Sequence, residues 1–153
     1  MPQSEISNTM LSNIVLQHAE TPAQLANCFS VISRLRPALK DEDEWIKRAL
    51  LMKQNDYHVL VAWEGDKALA VAGYHFMENL IHGSFIYVDD LITAEGQRSR
   101  GLGSALLTEL TNIGKCHQCD RLVLDTLATN THARRFYQRE GLNDAIVGFY
   151  KTL

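Results

Sequence analysis

The octapeptide Gln97-Arg98-Ser99-Arg100-Gly101-Leu102-Gly103-Ser104 places two arginines and two glycines at a junction. Ahead of it runs the apolar stretch Phe85–Thr93; behind it Leu102, Leu106, Leu110 and Ile113 recur at helical spacing. A strand that passes through a basic glycine loop into a helix start can hold a phosphate. The first helical turn leaves backbone N–H groups without partners and carries the positive end of the macrodipole. Gly101 and Gly103 keep side chains away from those donors. Arg98 and Arg100 add charge and forked donors suited to phosphate oxygens. A plain turn with solvated arginines would use the same residue types, so a second motif is needed to decide.

Two better-known phosphate loops do not fit. A dinucleotide fingerprint starting at Gly101 requires a small residue where Leu106 stands. A nucleotide-triphosphatase loop starting at Gly96 requires lysine where Leu102 stands. The remaining pattern, Arg98-x-x-Gly101-x-Gly103, resembles the acyl-CoA pyrophosphate loop of the GCN5-related N-acetyltransferases, with Ser99 where that family often has glycine. Downstream, Asn130, Ala133, Phe136, Tyr137 and Gly141 stand at the spacings of the same family's Asn-x-x-Ala-x-x-Phe-Tyr-x-x-x-Gly-Phe segment, with Leu142 replacing the phenylalanine. The resemblance covers residues 58–152.

The resemblance implies an α/β fold: a mixed, mostly antiparallel central sheet flanked by helices, with a splayed pair of parallel strands. It implies acetyl-CoA as acyl donor, with no metal. The donor would be held by the backbone of Leu91, Ile92 and Thr93, by Arg98, Ser99, Arg100, Gly101, Leu102, Gly103 and Ser104 of the loop, and by Asn130, Ala133, Phe136 and Tyr137. It implies direct attack by a primary amine, of a small molecule or a protein, in a ternary complex. A catalytically inactive acyl-CoA-binding regulatory module is the alternative. Homodimers are common in the family.

Transfer from a thioester requires that the amine lose a proton and that the leaving thiolate be protonated or stabilised. Tyr137 matches the family tyrosine near the sulfur, and a phenol with a pKa of about 10 keeps its proton at neutral pH. Ring packing beside Phe136 is its structural alternative. Asn130 can hold the donor or cap the helix that starts at Thr131, or do both. Asp89 and Asp90 are consecutive, so a regular strand turns them to opposite faces. The resemblance favours Asp90 as the base, with Asp89, Glu78 and His75 as substitutes. Arg134, Arg135 and Arg139 read as solvated charges that complement the helix dipole, with a reach to the donor's outer phosphates as the functional alternative. Cys116-His117-Gln118-Cys119, one Cys-x-x-Cys without a second pair, is a weak metal signal.

Other elements must position these groups. Ile14–Leu16 reads as a first strand, and Thr21-Pro22 starts a helix over 22–33 that ends at Arg36-Pro37. Asp41-Glu42-Asp43-Glu44 precedes a second helical pattern, as a helix amino terminus favours; an acidic lip for a cationic substrate is the functional alternative. Residues 58–63 and 68–77 read as strands joined by Glu64-Gly65-Asp66-Lys67, then the central strand follows. After the 102–115 helix come a strand over 121–126, the helix carrying Phe136, and a closing strand near 146–151. Residues 1–12 are polar and read as frayed.

The 153 residues, 46% hydrophobic and 22% charged, suit one globular domain spanning 1–153. A net charge of −3 argues against nucleic-acid binding. No apolar run approaches the ~20 residues that span a membrane. The absence of a signal-peptide pattern and an odd count of three cysteines point to the cytoplasm.

Overall fold

The computed structural model describes residues 13–153; the expectation for residues 1–12 lies outside them. The described chain forms two compact units, one reaching Val123 and the other running from Leu124 to Leu153.

The first unit is built on a sheet in the order β1-β2-β3-β4-β5. Strands β1 (Val15–His18), β2 (Tyr57–Glu64), β3 (Lys67–Asn79) and β4 (Gly83–Thr93) pair antiparallel in sequence. Strand β5 (Arg121–Leu124) lies parallel beside β4 and enters at Ser84, whose carbonyl accepts the Asp120 N–H at 2.7 Å. The mixed, mostly antiparallel sheet with one parallel pair agrees with the expected fold class.

The alternation of β2 explains the layering. Tyr57, Val59, Val61 and Trp63 point to one face, where they bury Leu25, Cys28, Val31, Ile32, Trp45 and Ala49 from three helices. These are α1 (Pro22–Ala26), α2 (Phe29–Leu35) and α3 (Glu42–Lys53). The opposite face is covered by α4 (Leu102–Cys116), through the buried Leu102, Leu106, Leu107 and Leu110. Helix α4 keeps the apolar spacing seen in the sequence.

Local signals set the helix starts. Thr21 and Gln24 form a reciprocal capping box ahead of α1, and Asp41 accepts from the Glu44 N–H at 2.8 Å ahead of α3. The acidic run is thus a cap and a dipole complement. The expected single helix over 22–33 is two: Cys28 N–H bonds to Leu25 O at 3.0 Å, a tighter turn that closes α1 before α2 begins.

The second unit carries α5 (Thr131–Arg139) and an irregular chain after Gly141. The closing strand expected near 146–151 is not formed, and Val147, Phe149 and Tyr150 stand exposed. Strand propensity alone does not make a strand; ladder partners must supply the hydrogen bonds. Among the described residues no helix is long and apolar enough to cross a membrane.

Candidate active site

The loop over residues 98–104 joins β4 to α4 through a tight turn. A short 3-10 turn over Arg98–Arg100 leads to Gly101, whose φ of +71° is left-handed. Helix α4 follows with no side-chain cap, and its first ladder bond is Ala105 N–H to Gly101 O at 3.0 Å. The N–H groups of Leu102 and Gly103 precede that bond, donors of the kind an anion takes. The Leu102 side chain is buried in the core, so the residue offers only its backbone. Arg98 and Ser99 are exposed. Arg100 is more constrained, bonding Gln97 Oε1 at 2.8 Å and lying 3.8 Å from Glu64.

Strand β4 changes character at its centre. Gly73 pairs with Asp90, yet Tyr74 pairs with Val88, so Asp89 is an extra residue bulged from the ladder. Strand β5 is four residues long and starts beside Ser84, so it ends near this bulge. Beyond it the outer edge of β4 is uncovered by β5. Ala94 donates its N–H to Leu69 O on β3 at 2.7 Å. By the period of two, Leu91 and Thr93 turn their backbone groups toward that outer edge, whereas Ile92 turns toward β3. Arg34 reaches the Thr93 carbonyl there at 3.4 Å.

The bulge also overturns the expectation that Asp89 and Asp90 face opposite ways. Asp90 Oδ2 accepts from the Tyr57 hydroxyl at 2.7 Å, and Asp89 Oδ1 lies 2.8 Å from His75 Nδ1. Tyr57 and His75 are directly paired across β2 and β3, with ring centroids 5.0 Å apart, so they share a face. Both carboxylates therefore sit on the α1–α3 side of the sheet. An extra residue in a strand shifts the alternation by one, which is how neighbours come to share a face.

The two carboxylates differ in their partners. Arg36 Nε bonds Asp90 Oδ1 at 2.7 Å, so both Asp90 oxygens are engaged. Burial, reinforced by the Asp90 charge, pushes the Tyr57 hydroxyl well above its ordinary range and keeps it a donor. Burial pushes the Asp89 carboxyl up as well, opposed by the His75 hydrogen bond. Glu78 pairs with Ser84, near the far end of the hairpin. At ~3.4 Å per residue that is on the order of 17 Å from the bulge.

In the sequence Arg36 marks only a helix end, and Tyr57 has no assigned role. They lie 54 and 33 positions from Asp90, and no local pattern links them.

In the second unit, Asn130 caps α5 by accepting from the Ala133 N–H at 3.1 Å. Ala133, Phe136 and Tyr137 are half-buried, with the two rings 5.3 Å apart, and burial raises the Tyr137 phenol. Arg134, expected to be solvated, pairs with Asp144 at 2.5 Å and bonds Ala128 O at 3.1 Å. Cys116 and Cys119 are free thiols, and among the described residues no three His, Cys, Asp or Glu side chains gather as a metal site.

Residues 21–142 match the model of the acetyltransferase (GNAT) family. Glucosamine 6-phosphate N-acetyltransferase of Candida albicans is 29% identical over 91 residues, which are 58% of this chain and 59% of that protein. The match thus spans rather more than half the length of that relative. An acetyltransferase of Trypanosoma brucei superposes with a TM-score of 0.78 at 18% identity, over 92% of this chain and 99% of the other. The aminoglycoside N-acetyltransferase AAC(6')-Iy, in complex with CoA, superposes at 0.79 with 16% identity, over 91% and 94% of the two chains. At these identities the two superpositions show a shared fold.

Proposed function

The chain belongs to the acetyltransferase (GNAT) family, and from that premise we propose that it transfers an acetyl group from acetyl-CoA to a primary amine. One observation carries the reading. The uncapped start of α4, behind left-handed Gly101, follows a β4 strand whose outer edge is uncovered by β5 beyond the bulge. The loop N–H groups of Leu102 and Gly103, with Arg98, Ser99 and Arg100 around them, fit a diphosphate. The outward amides and carbonyls of Leu91 and Thr93 fit an extended amide-bearing arm, with Ile92 holding the strand to β3.

Acetyl-CoA supplies a thioester carbonyl open to attack by an uncharged amine. In our reading Tyr137 donates its phenolic proton to the departing sulfur, and its raised pKa keeps that proton on the ring at neutral pH. Asn130, Ala133 and Phe136 position the helix that presents it. Asp90, the expected base, is spoken for by Arg36 and Tyr57, and in this reading it holds β4 to the helical layer. Two similar proteins bear amino sugars in their names, glucosamine 6-phosphate and aminoglycosides, so amino sugars head the acceptor panel.

The test is calorimetric titration with acetyl-CoA, CoA and ATP, followed by an amine panel read by thiol release. Micromolar binding of the CoA species without ATP binding, and thiol release with an amine, are expected. A folded protein that binds no CoA species sinks the reading. Binding without turnover on any amine would leave a CoA-binding module.

A further inference from the structure

Resting on the transferase reading, we propose that His75 is the general base that deprotonates the acceptor amine and that Asp89 is the residue that positions it. His75 Nδ1 and Asp89 Oδ1 are 2.8 Å apart, with His75 17% and Asp89 28% exposed at the side chain. A carboxylate at Nδ1 holds the tautomer in which Nδ1 carries the hydrogen and Nε2 keeps its lone pair. It also stabilises the imidazolium that forms when Nε2 takes a proton. The pair is therefore a base already oriented for use.

Its place in the sheet matches the need. Asp89 is the bulged residue itself, where the outer edge of β4 passes from β5 to the uncovered stretch. His75 stands one strand inward, about 4.8 Å across the ladder. The Tyr57 ring packs beside the imidazole, its centroid 5.0 Å away at a 45° tilt. The competing carboxylates are less suited. Asp90 has both oxygens bonded, and Glu78 lies on the order of 17 Å along the strand.

The proton balance closes. The ammonium form of the acceptor gives one proton to His75 Nε2, and the freed lone pair attacks the thioester carbonyl. The C–N bond forms and the C–S bond breaks. The general acid protonates the sulfur, and the second proton of the nitrogen makes good the one the acid gave up. His75 returns its proton to solvent, one for each acetyl group transferred.

The test compares wild type with His75→Asn, His75→Ala and Asp89→Asn. Asparagine keeps a donor where Nδ1 stood, so the bond to Asp89 survives while the base is lost. For His75→Asn we expect kcat to fall about 100-fold or more, within the usual range for a lost general base. The Kd for acetyl-CoA should stay within about twofold of wild type, and kcat/KM should lose its acid limb. Added imidazole should restore part of the activity of His75→Ala. Asp89→Asn should shift the acid limb and move the His75 nitrogen resonances of the free protein away from the Nδ1–H tautomer. The charged and titratable groups around His75 include Tyr87, paired with it across the ladder, Asp89 and Asp90 on β4, Tyr57 and His58 on β2, and Arg36 after α2. A His75→Asn protein that keeps more than a third of wild-type kcat, or an unchanged pH profile, overturns the assignment and leaves the transferase standing. A wild type that binds no acetyl-CoA overturns both.

Discussion

Arg36 and Asp90 are joined by a 2.7 Å bond from Nε to Oδ1, and Arg36 Nη2 reaches the carbonyl oxygen of Asp89 at the same distance. One guanidinium thus engages the main-chain oxygen of the bulged residue and the side chain of the residue after it. The forked, planar donor set of arginine permits this, and lysine could not reproduce it. Bulges disturb the ladder locally, and here the disturbed carbonyl finds its partner in the residue that closes α2.

Removing this clamp should loosen the fold. Arg36→Ala is expected to cost about 1–2 kcal/mol, the usual scale for a hydrogen bond to a charged group, with Arg36 itself half-exposed. Urea unfolding of Arg36→Ala, Asp90→Asn and the double variant gives the coupling. A coupling energy near zero would mean that the pair contributes nothing to stability.

Two glycine substitutions should fail for different reasons. A Cβ on Gly73 would overlap the Tyr57 hydroxyl and the Asp90 carboxylate, so Gly73→Ala should break that bond and cost several kcal/mol. A Cβ on Gly101 meets nothing within 4 Å, leaving only the left-handed φ of +71° as a penalty of about 1 kcal/mol. Thermal melts should therefore rank Gly73→Ala well below Gly101→Ala. The reverse order would contradict this packing.

Acid should weaken the fold through His18 and His58. Burial is the largest influence on each and lowers both imidazoles, so the folded state prefers them neutral. Glu20 and Glu109 oppose this for His18, while the His18 charge adds to it for His58. Because the unfolded chain binds these protons more readily, stability is present above about pH 6.5 and is lost as pH falls through the folded values. Urea titrations between pH 7 and 5 should show this decline, and His58→Gln should flatten it. A slope unchanged by that substitution would place the acid sensitivity elsewhere.

On the proposed mechanism, Tyr137→Phe should lower kcat by about 100-fold while leaving acetyl-CoA binding within about threefold. Steady-state thiol release and calorimetry separate the two effects. Unchanged turnover would remove Tyr137 from the proton path.

Where neighbouring residues interact, the sequence is legible. Apolar residues at helical spacing fold as α4, Asp41 and Asn130 cap the helices they precede, and Gly101 takes the left-handed turn into a helix start. These signals act over three to five residues, so the turn into α4 and the class of fold follow from them. The relationships around β4 act over much longer separations. The helix break comes with the tight turn at Cys28, whose side chain is buried in the core, and the missing strand after Gly141 depends on ladder partners rather than propensity. Alternation in the sequence turned Asp89 and Asp90 apart; one extra residue in the β3–β4 ladder turns them to one face. Tertiary structure alone brings Arg36 and Tyr57 to Asp90 and leaves His75 with Asp89, because a register shift and a contact across 54 positions have no local sequence signature.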